Sequence, residues 1–193
     1  MESPAKIPPA AAVAGYLDRL GRLIRAREHE AGLNPAQWEA LRYIARANRF
    51  SRNPTALTAW FGATKGTISQ TLIALERKGL VGKERRSGRG RAVSVFLTDG
   101  GKAVLARDPL VDIEAAGVAL GGDAARLAGL LAALLNEVQE MSGQHSFGNC
   151  RTCRFFAQGE GESDSRPHRC LLLKSDFEQE EAARICVKHE PAA

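Results

Sequence analysis

Through most of the first 142 residues, hydrophobic residues recur every three or four positions, which is the period of an amphipathic α-helix. Over residues 10–30 this pattern predicts a long first helix, preceded by a proline-rich flexible lead at residues 1–9. Asn34 is followed by a proline and then, three positions on, by Gln37, which is the pattern of a capping box. A second helix is therefore predicted to about residue 47.

Two further helical patterns follow, separated by only a few residues. Thr55 is predicted to cap the first, which ends at Gly62, and Thr64 is predicted to cap the second, which stops at Gly79. Two helices joined by so short a turn predict a helix-turn-helix. The second helix buries one apolar stripe and leaves its other faces free for a partner. This stripe consists of Ile68, Leu72 and Leu75.

The pattern then changes from helical to alternating. Residues 80–86 and 92–97 predict two strands, and the glycine-containing residues 87–90 predict the turn between them. In the second strand the inward positions are Val93, Val95 and Leu97. The result is a basic β-hairpin, or wing, directly after the helix-turn-helix.

The last helical segments differ in how much apolar surface they carry. Thr98 is predicted to cap a helix to about residue 107, and Asp108 with Pro109 interrupts it. Asp123 is predicted to cap a final helix with apolar residues on more than one face, and the linker 142–149 follows. Because so much apolar surface is unusual for a solvated helix, we expect it to pack against a partner subunit. Its apolar residues are Leu127, Leu130, Leu131, Leu134, Leu135, Val138 and Met141.

Composition narrows the class of partner. The chain has 193 residues, 44% of them hydrophobic, enough for one domain and an appendage. No stretch approaches the roughly 20 apolar residues of a membrane span, and the N-terminal pattern is not that of a signal peptide, so we expect a cytoplasmic protein with no membrane partner. Residues 143–193 hold 7 basic and 8 acidic residues, which leaves 20 and 14 in residues 1–142, so the positive excess of the chain lies there. This favours a polyanionic partner such as double-stranded DNA.

The order of elements resembles that of the MarR-type winged-helix regulators. The likeness rests on TKGTISQTLIALERKGLV at residues 64–81, the basic hairpin, and an LT-x-x-G motif ending at Gly101, and it covers about residues 10–142. It implies a mainly α-helical winged helix-turn-helix that forms a homodimer through its first and last helices. Each subunit would place one helix in a major groove and its wing near a minor groove. Regulators of this type are most often repressors, and small aromatic effectors bind beside the dimer helices, where Trp38 and Trp60 are pocket or core candidates.

The exposed half of the predicted recognition helix supplies the candidates for DNA contacts. Lys65, Thr67 and Gln70 would face base edges or nearby phosphates, since glutamine suits adenine and lysine suits guanine. The candidates for contacts to the DNA backbone are Ser69, Thr71, Arg77, Lys83, Arg85 and Arg86. The alternative is that these residues form an ordinary solvated face.

The tip of the wing departs from the family pattern. The resemblance implies Asp-x-Arg in the wing, whereas the matching positions are Arg89, Gly90 and Arg91. Arg91 keeps the arginine expected to reach the minor groove. Arg89 replaces the aspartate that would orient it and makes the wing more basic, which would strengthen phosphate contacts.

The four cysteines form one constellation near the C-terminus. They are Cys150, Cys153, Cys170 and Cys186. Without an export signal, metal or redox chemistry is expected rather than disulfides. Four thiolates can close a zinc tetrahedron or hold an iron-sulfur cluster, and their spacing alone does not decide between them. His189 is an alternative ligand, and four metal-free thiols are a third arrangement.

One tight cysteine pair followed by two widely spaced cysteines is similar to the cluster-binding segment of high-potential iron-sulfur proteins. That resemblance favours a 4Fe-4S cluster, with zinc as the alternative, in a cysteine-rich appendage at residues 143–193. We therefore expect a DNA-binding regulator that senses redox state, oxygen or iron, with the last apolar helix linking the tail to the dimer.

Two other functions stay open. One is a constitutive DNA-binding regulator whose structural zinc module recruits a protein. The other is an electron-transfer or enzyme accessory protein on a winged-helix scaffold. The sequence holds no G-x-S-x-G, P-loop or H-E-x-x-H motif, so an enzyme is not expected. A small molecule or a redox signal is the expected effector.

Overall fold

The computed structural model describes residues 7–30, 32–85, 93–143 and 147–192. Within them the chain is mainly helical with two small antiparallel sheets. The helices are α1 (Pro9–Glu30), α2 (Pro35–Arg46), α3 (Pro54–Phe61), α4 (Lys65–Arg77), α5 (Asp99–Leu105), α6 (Val111–Ala119) and α7 (Asp123–Met141). The strands are β1 (Val81–Arg85), β2 (Val93–Leu97), β3 (Phe156–Ser163), β4 (Arg166–Cys170) and β5 (Ser175–Phe177). Among the described residues, no helix combines the length and hydropathy that crossing a bilayer requires.

The predicted start of α2 is confirmed in atomic detail. The Gln37 backbone N–H donates to Asn34 Oδ1 at 2.9 Å, and the Asn34 N–H donates back to Gln37 Oε1 at 3.4 Å. This reciprocal pair satisfies two of the amide groups that a helix start leaves without partners. Leu33 and Trp38, on either side of the cap, are both buried. Local sequence alone therefore fixes where α2 begins.

Three predicted helix boundaries are wrong. α3 is capped by Asn53, whose Oδ1 accepts from the Ala56 N–H at 3.0 Å, and not by Thr55, because the intervening Pro54 suits the first helical position. Asp123 is the first residue of α7 rather than its cap, and the Gly122 before it provides no side-chain cap. α5 ends at Leu105, two residues before the predicted end.

The wing is a two-stranded antiparallel sheet. Val81 lies opposite Leu97 and Arg85 opposite Val93 in the register of β1 and β2. The Val95 side chain is fully buried, as the alternating pattern predicts, while Phe96 is exposed. The predicted turn at residues 87–90 lies outside the described residues.

The main core lies between α2, α3, α4 and the wing. Its fully buried side chains include Trp38, Leu41, Tyr43, Leu57 and Leu75. Trp38 is thus a core residue, and its indole N–H donates to the Glu28 carbonyl oxygen at 3.2 Å. By contrast, α7 has no buried residue, and Leu130 and Met141 are 61% and 87% exposed.

A buried charge network joins α1, α2 and the turn before α6. Arg42 pairs with Glu28 on one side, with Nη1 and Oε1 2.6 Å apart. On the other side it forms two bonds to Asp108, at 2.7 and 2.6 Å. Burial opposes ionisation of Asp108, but the bond and charge of Arg42 and the Leu110 N–H together hold the pKa of that carboxyl below its usual value. Arg42 therefore fixes the base of α1 against the winged-helix unit, defined as α2–α5 with β1 and β2.

The tail, defined as residues 147–192, folds into a small unit. Strands β3, β4 and β5 form an antiparallel sheet in that order, flanked by 3-10 turns at Cys150–Thr152 and Gln179–Ala183. Its buried centre is formed by Phe177, Ala182 and Cys150. Residues 147–149, which the sequence assigned to a linker, belong to this unit, since Gly148 pairs with Cys186.

Candidate nucleic-acid interface and cysteine centre

Local sequence determines both ends of α4 and the side of the helix that is buried. The Thr67 N–H donates to Thr64 Oγ1 at 3.1 Å, which confirms Thr64 as the N-cap. Gly79 has a φ of 69°, a left-handed conformation that ends the helix at little steric cost. The stripe formed by Ile68, Leu72 and Leu75 is buried, so the opposite face of α4 points away from the protein.

Four predicted DNA contacts lie on the exposed faces of α4. They are Lys65, Thr67, Ser69 and Gln70, and Gln70 is almost opposite the buried stripe. The Thr67 hydroxyl lies 2.9 Å from the Thr64 hydroxyl, so part of its hydrogen-bonding capacity serves the cap. Thr71 is half-buried, and its hydroxyl donates to the Thr67 carbonyl at 3.0 Å. Lys65 and Gln70 are therefore the long polar side chains that α4 presents in its first turns.

The residues predicted to contact the DNA backbone differ in their exposure and in their partners within the protein. Arg77, at the end of α4, and Arg85, at the end of β1, are exposed. Lys83 pairs with Glu76, with Nζ and Oε2 2.7 Å apart, so a phosphate would compete with that carboxylate. The remaining three predicted contacts lie outside the described residues. They are Arg86, Arg89 and Arg91.

A groove of about 330 Å³ lies between α3, α4 and the wing. It is lined by Lys65 and Ser69 of α4 and by Lys83 of β1, which are all predicted DNA contacts. Two ammonium groups and a hydroxyl beside one concave surface suit an anionic partner. The wing is held next to this groove, because the Val95 N–H donates to the Arg52 carbonyl at 2.8 Å.

Close packing explains the glycine of the LT-x-x-G motif. A Cβ added to Gly101 would overlap the carbonyl oxygen of Leu80, the residue before β1. The absence of a side chain at Gly101 therefore allows α5 to approach the start of β1. Thr98 caps α5 by accepting from the Gly101 N–H at 3.1 Å. The motif therefore fixes how β2 joins α5.

The four predicted metal ligands lie together, because Cys150, Cys153, Cys170 and Cys186 all line one small cavity. The Cys153 N–H donates to the Cys150 carbonyl at 2.9 Å, so a single turn presents the tight pair. Cys170 ends β4, and the Cys186 N–H donates to the Gly148 carbonyl at 2.8 Å. All four are free thiols.

The walls of this cavity are apolar. They include Phe155, Phe156 and Phe177, and the volume is about 10 Å³, room for about one water-sized sphere. Burial and the nearby cysteines raise the pKa of the Cys150 thiol to about 12. Among the described residues, no three histidine, cysteine or acidic side chains are placed as ligands of a single metal ion. A metal group would therefore require the thiols to lose protons and to shift, inward for one ion or outward for a cluster.

The two tail histidines have other partners. His189 is buried, and its Nε2 lies 3.0 Å from Thr152 Oγ1. His168 is buried edge-on against Phe156, with Nδ1 accepting from the Gly159 N–H at 3.3 Å. Neither ring lines the cysteine cavity.

Comparisons with known proteins agree with this geometry for the winged helix. A model of the MarR family matches residues 31–92. The match covers most of the winged-helix unit and less than half of the 193-residue chain. The match includes α2–α4, the wing strand β1 and all of the predicted DNA contacts. No curated protein sequence matches the chain.

Solved structures of similar fold support the same assignment. The transcriptional repressor CouR bound to a 23-mer DNA duplex is 26% identical, with a TM-score of 0.54 over 70% of this chain and 99% of that chain. The S. aureus MepR-DNA complex is 14% identical, with a TM-score of 0.54 over 70% and 99%. NadR in complex with 4-hydroxyphenylacetate is 21% identical, with a TM-score of 0.54 over 72% and 97%. The last two show the fold alone.

The tail docks against the winged-helix unit in a way that the sequence pattern did not predict. It contacts the corner, defined as residues 46–53 between α2 and α3. Ile185 forms a parallel bridge there, donating its N–H to the Arg46 carbonyl at 2.9 Å and accepting from the Asn48 N–H at 2.9 Å. The Val187 N–H donates to Ser51 Oγ at 2.9 Å. Cys186 lies between these two anchored residues.

Glu181 adds charge to this interface. Its carboxylate accepts from the Arg49 backbone N–H at 2.6 Å and pairs with Arg52 at 3.3 Å. The side chain is 9% exposed, so the contact is shielded from water. Aromatic packing accompanies it: Phe147 lies edge-on against Trp60, with ring centroids 4.9 Å apart. Trp60 of the winged-helix unit is therefore part of the tail interface.

Proposed function

We propose that this protein is a sequence-specific DNA-binding transcriptional regulator that acts as a homodimer. One observation carries the proposal: α4 is capped, is buried along one stripe, and exposes Lys65 and Gln70 beside a β-wing. This is the arrangement with which a helix-turn-helix enters a major groove. The solved complexes of CouR with a duplex and of MepR with DNA support it.

Within this proposal some polar residues contact bases and others contact phosphates. Gln70 and Lys65 read base edges, since their long side chains have donors that reach adenine or guanine in the major groove. Arg77 and Arg85 contact phosphates and set the position of the protein without reading sequence. Lys83 contributes when Glu76 releases it. The wing arginines Arg86, Arg89 and Arg91 and the hydroxyls of Ser69, Thr67 and Thr71 complete the proposed contacts.

The homodimer follows from unpaired apolar surface on α1 and α7. The two helices line a groove of about 380 Å³ whose walls are almost entirely aliphatic. Its residues include Val13, Leu17, Leu131, Leu134, Leu135 and Val138. Such a surface is unfavourable in water, and a second copy covers it with the same residues. A Leu131→Glu variant that stays dimeric in sedimentation equilibrium would argue against this interface.

Selection from a pool of randomised duplexes tests the DNA function. We expect an inverted repeat, with half-sites about one helical turn apart. Gln70→Ala should relax the base preference at one position in each half-site, whereas Arg77→Ala should weaken binding to all sequences alike. A pool that gains no preferred sequence would refute the proposal and favour the accessory-protein alternative.

We further propose that the four cysteines bind a metal group. The donor set fits, because four soft thiol ligands surround one cavity with apolar walls. A 4Fe-4S cluster is the first candidate, and it would supply a redox-active, oxygen-sensitive centre, whereas zinc would supply a redox-inert crosslink. The phenylalanine walls would exclude water from either group. The second candidate is a structural zinc module with constitutive DNA binding. The small volume of the cavity supports a single ion in preference to a cluster.

Anaerobic purification separates the two candidates. Brown protein with about four iron and four sulfide per chain supports the cluster, and colourless protein with about one zinc per chain supports the structural module. Cys150→Ser should lower the metal content in either case. Glu162→Gln, a change at a surface position 80% exposed in the same tail, should not. Protein without iron or zinc would refute the proposed centre.

The effector is proposed by analogy with NadR, which is solved with 4-hydroxyphenylacetate. A cavity of about 580 Å³ between α2, α5 and α6 is lined by Arg42, Arg46 and Asp108 together with Leu105 and Val111. Arg42 and Asp108 pair with each other, so Arg46 and Glu114 are the other charged groups of the lining. A small molecule with an apolar ring and one carboxylate to meet Arg46 suits these walls. Thermal-shift screening with aromatic carboxylates tests it, and no stabilisation by any of them would argue for a redox signal alone.

A further inference from the structure

The proposed function leaves open how a centre in the tail would act on DNA binding. The tail is connected covalently to the winged-helix unit through α7. A second connection is the noncovalent interface between the tail and the corner. This route is short, because Ile185 and Val187, the neighbours of Cys186, carry its main-chain bonds to Arg46, Asn48 and Ser51.

The corner contacts α3 and the wing directly, and through α3 it is linked to α4. Asn53 caps α3, and its own Nδ2 donates to the Phe50 carbonyl at 2.9 Å. The Arg52 carbonyl accepts from Val95 in the wing at 2.8 Å. α3 in turn packs against α4 across the turn at Gly62. A shift of the corner therefore moves the helix-turn-helix and the wing together.

The tail also packs against the core of the winged-helix unit, through the side chains of Ile185 and Val187. In that core the Tyr43 hydroxyl donates to the Ser51 carbonyl at 3.1 Å, and its ring packs on Trp60 at 5.2 Å. Tyr43 thus links the corner to α3 from the inside of the unit.

The interface is tight in some contacts and imperfect in others. Glu181 accepts a short charge-assisted bond from the Arg49 N–H at 2.6 Å and a longer one from Arg52 at 3.3 Å, and such bonds are roughly twice as strong as neutral ones. Within the described residues, however, Asn48 Nδ2 and Arg52 Nε are buried there without a hydrogen-bond partner. Each such group lowers the net stability of the docked state, because its contact with water is lost and not replaced. An interface of this kind separates more readily than a fully satisfied one.

We propose that the tail is a clamp on the corner: when the cysteine centre is ordered, Ile185, Val187 and Glu181 hold residues 46–53 and fix α3, α4 and the wing. Disorder at the centre releases the corner and changes DNA affinity. The clamp rests on the proposed DNA-binding function for its effect on affinity, but not for its effect on the corner. It applies to a cluster, to zinc, and to a thiol core alike.

Four full-length proteins test the clamp: the wild type, Cys150→Ser, Glu181→Ala and the control Glu162→Ala. Glu181→Ala removes the carboxylate at the corner, and Glu162→Ala removes a carboxylate at an exposed site of the same tail. Amide hydrogen exchange is measured over residues 46–53 and 93–97, and affinity is measured on the duplex that the wild type selects.

The clamp predicts faster exchange in both segments for Cys150→Ser and for Glu181→Ala, and wild-type exchange for the control. DNA affinity should change in the same direction in both variants, by about 5- to 150-fold. The double variant should change little beyond the larger single effect, because both act on one interface.

Two results would overturn the clamp. One is faster exchange confined to the tail in Cys150→Ser, and the other is wild-type affinity in Glu181→Ala. Should Cys150→Ser not fold, Glu181→Ala decides alone. A wild type that selects no duplex refutes the DNA function, and the exchange of residues 46–53 then still decides whether the tail holds the corner.

Discussion

Replacement of Arg42 by methionine should strongly destabilise the protein. Methionine keeps an apolar side chain, but it removes the guanidinium, which pairs with two carboxylates and lies over the Trp38 ring at 5.4 Å. Glu28 and Asp108 are only 4% and 15% exposed in their side chains, so water cannot replace the lost partner. Breaking a buried ion pair by removing one partner costs about 3–5 kcal/mol. We expect Arg42→Met to lie in this range.

Urea denaturation followed by circular dichroism measures the effect, and an unchanged m-value would show that the loss is one of stability. The triple variant Arg42→Met, Glu28→Gln, Asp108→Asn should recover much of it, because no charge is then left buried. Arg22→Met is the control, since its pair with Asp18 is 68% and 61% exposed and is worth less than about 1 kcal/mol. A loss below about 1 kcal/mol in Arg42→Met would refute this account of how α1 is fixed.

Three further predictions concern the caps, the motif glycine and pH. Asn53→Ala should cost about 1 kcal/mol in urea unfolding while Thr55→Ala costs little, because only Asn53 caps α3; equal effects would contradict this. Gly101→Ala should lower the melting temperature, since the new methyl overlaps the Leu80 carbonyl, whereas Gly129→Ala, with open space around it, should not. The pKa of Asp108 is lower in the folded than in the unfolded protein, so its stabilisation is full above the unfolded value and is lost as the pH falls through the folded one. Stability should therefore fall in acid below about pH 4, and less steeply in Asp108→Asn.

The parts of the fold that the sequence predicts are those decided by neighbouring residues. The caps at Asn34, Thr64 and Thr98 and the left-handed glycines Gly62 and Gly79 each depend on a few adjacent positions. The buried stripe of α4 follows from helical period alone. The cap of α3 was predicted at the wrong residue although it too depends on adjacent positions. Both Asn53 and Thr55 suit a cap, and only the position of the proline between them decides which one is used.

The parts that could not be predicted depend on residues distant in the chain. Arg49 and Glu181 are 132 positions apart, and Arg42 and Asp108 are 66 apart. Nothing in the local pattern of a charged residue shows which opposite charge it will meet. The convergence of four cysteines was predictable because their chemistry requires it, but the docking of their module on the corner depends on backbone bonds of Ile185 and Val187, which any residue can form.

The salt dependence of binding to the selected duplex tests the central claim most directly. Arg77 and Arg85 are exposed in each subunit, and four phosphate contacts in a dimer predict a slope of log K against log salt of about −4, or steeper with the wing arginines. Arg77→Ala should reduce the magnitude of that slope by about 2, and Arg22→Ala on α1 should leave it unchanged. A flat slope, or one that Arg77→Ala does not alter, would contradict the assignment of α4 and the wing as the DNA-binding surface.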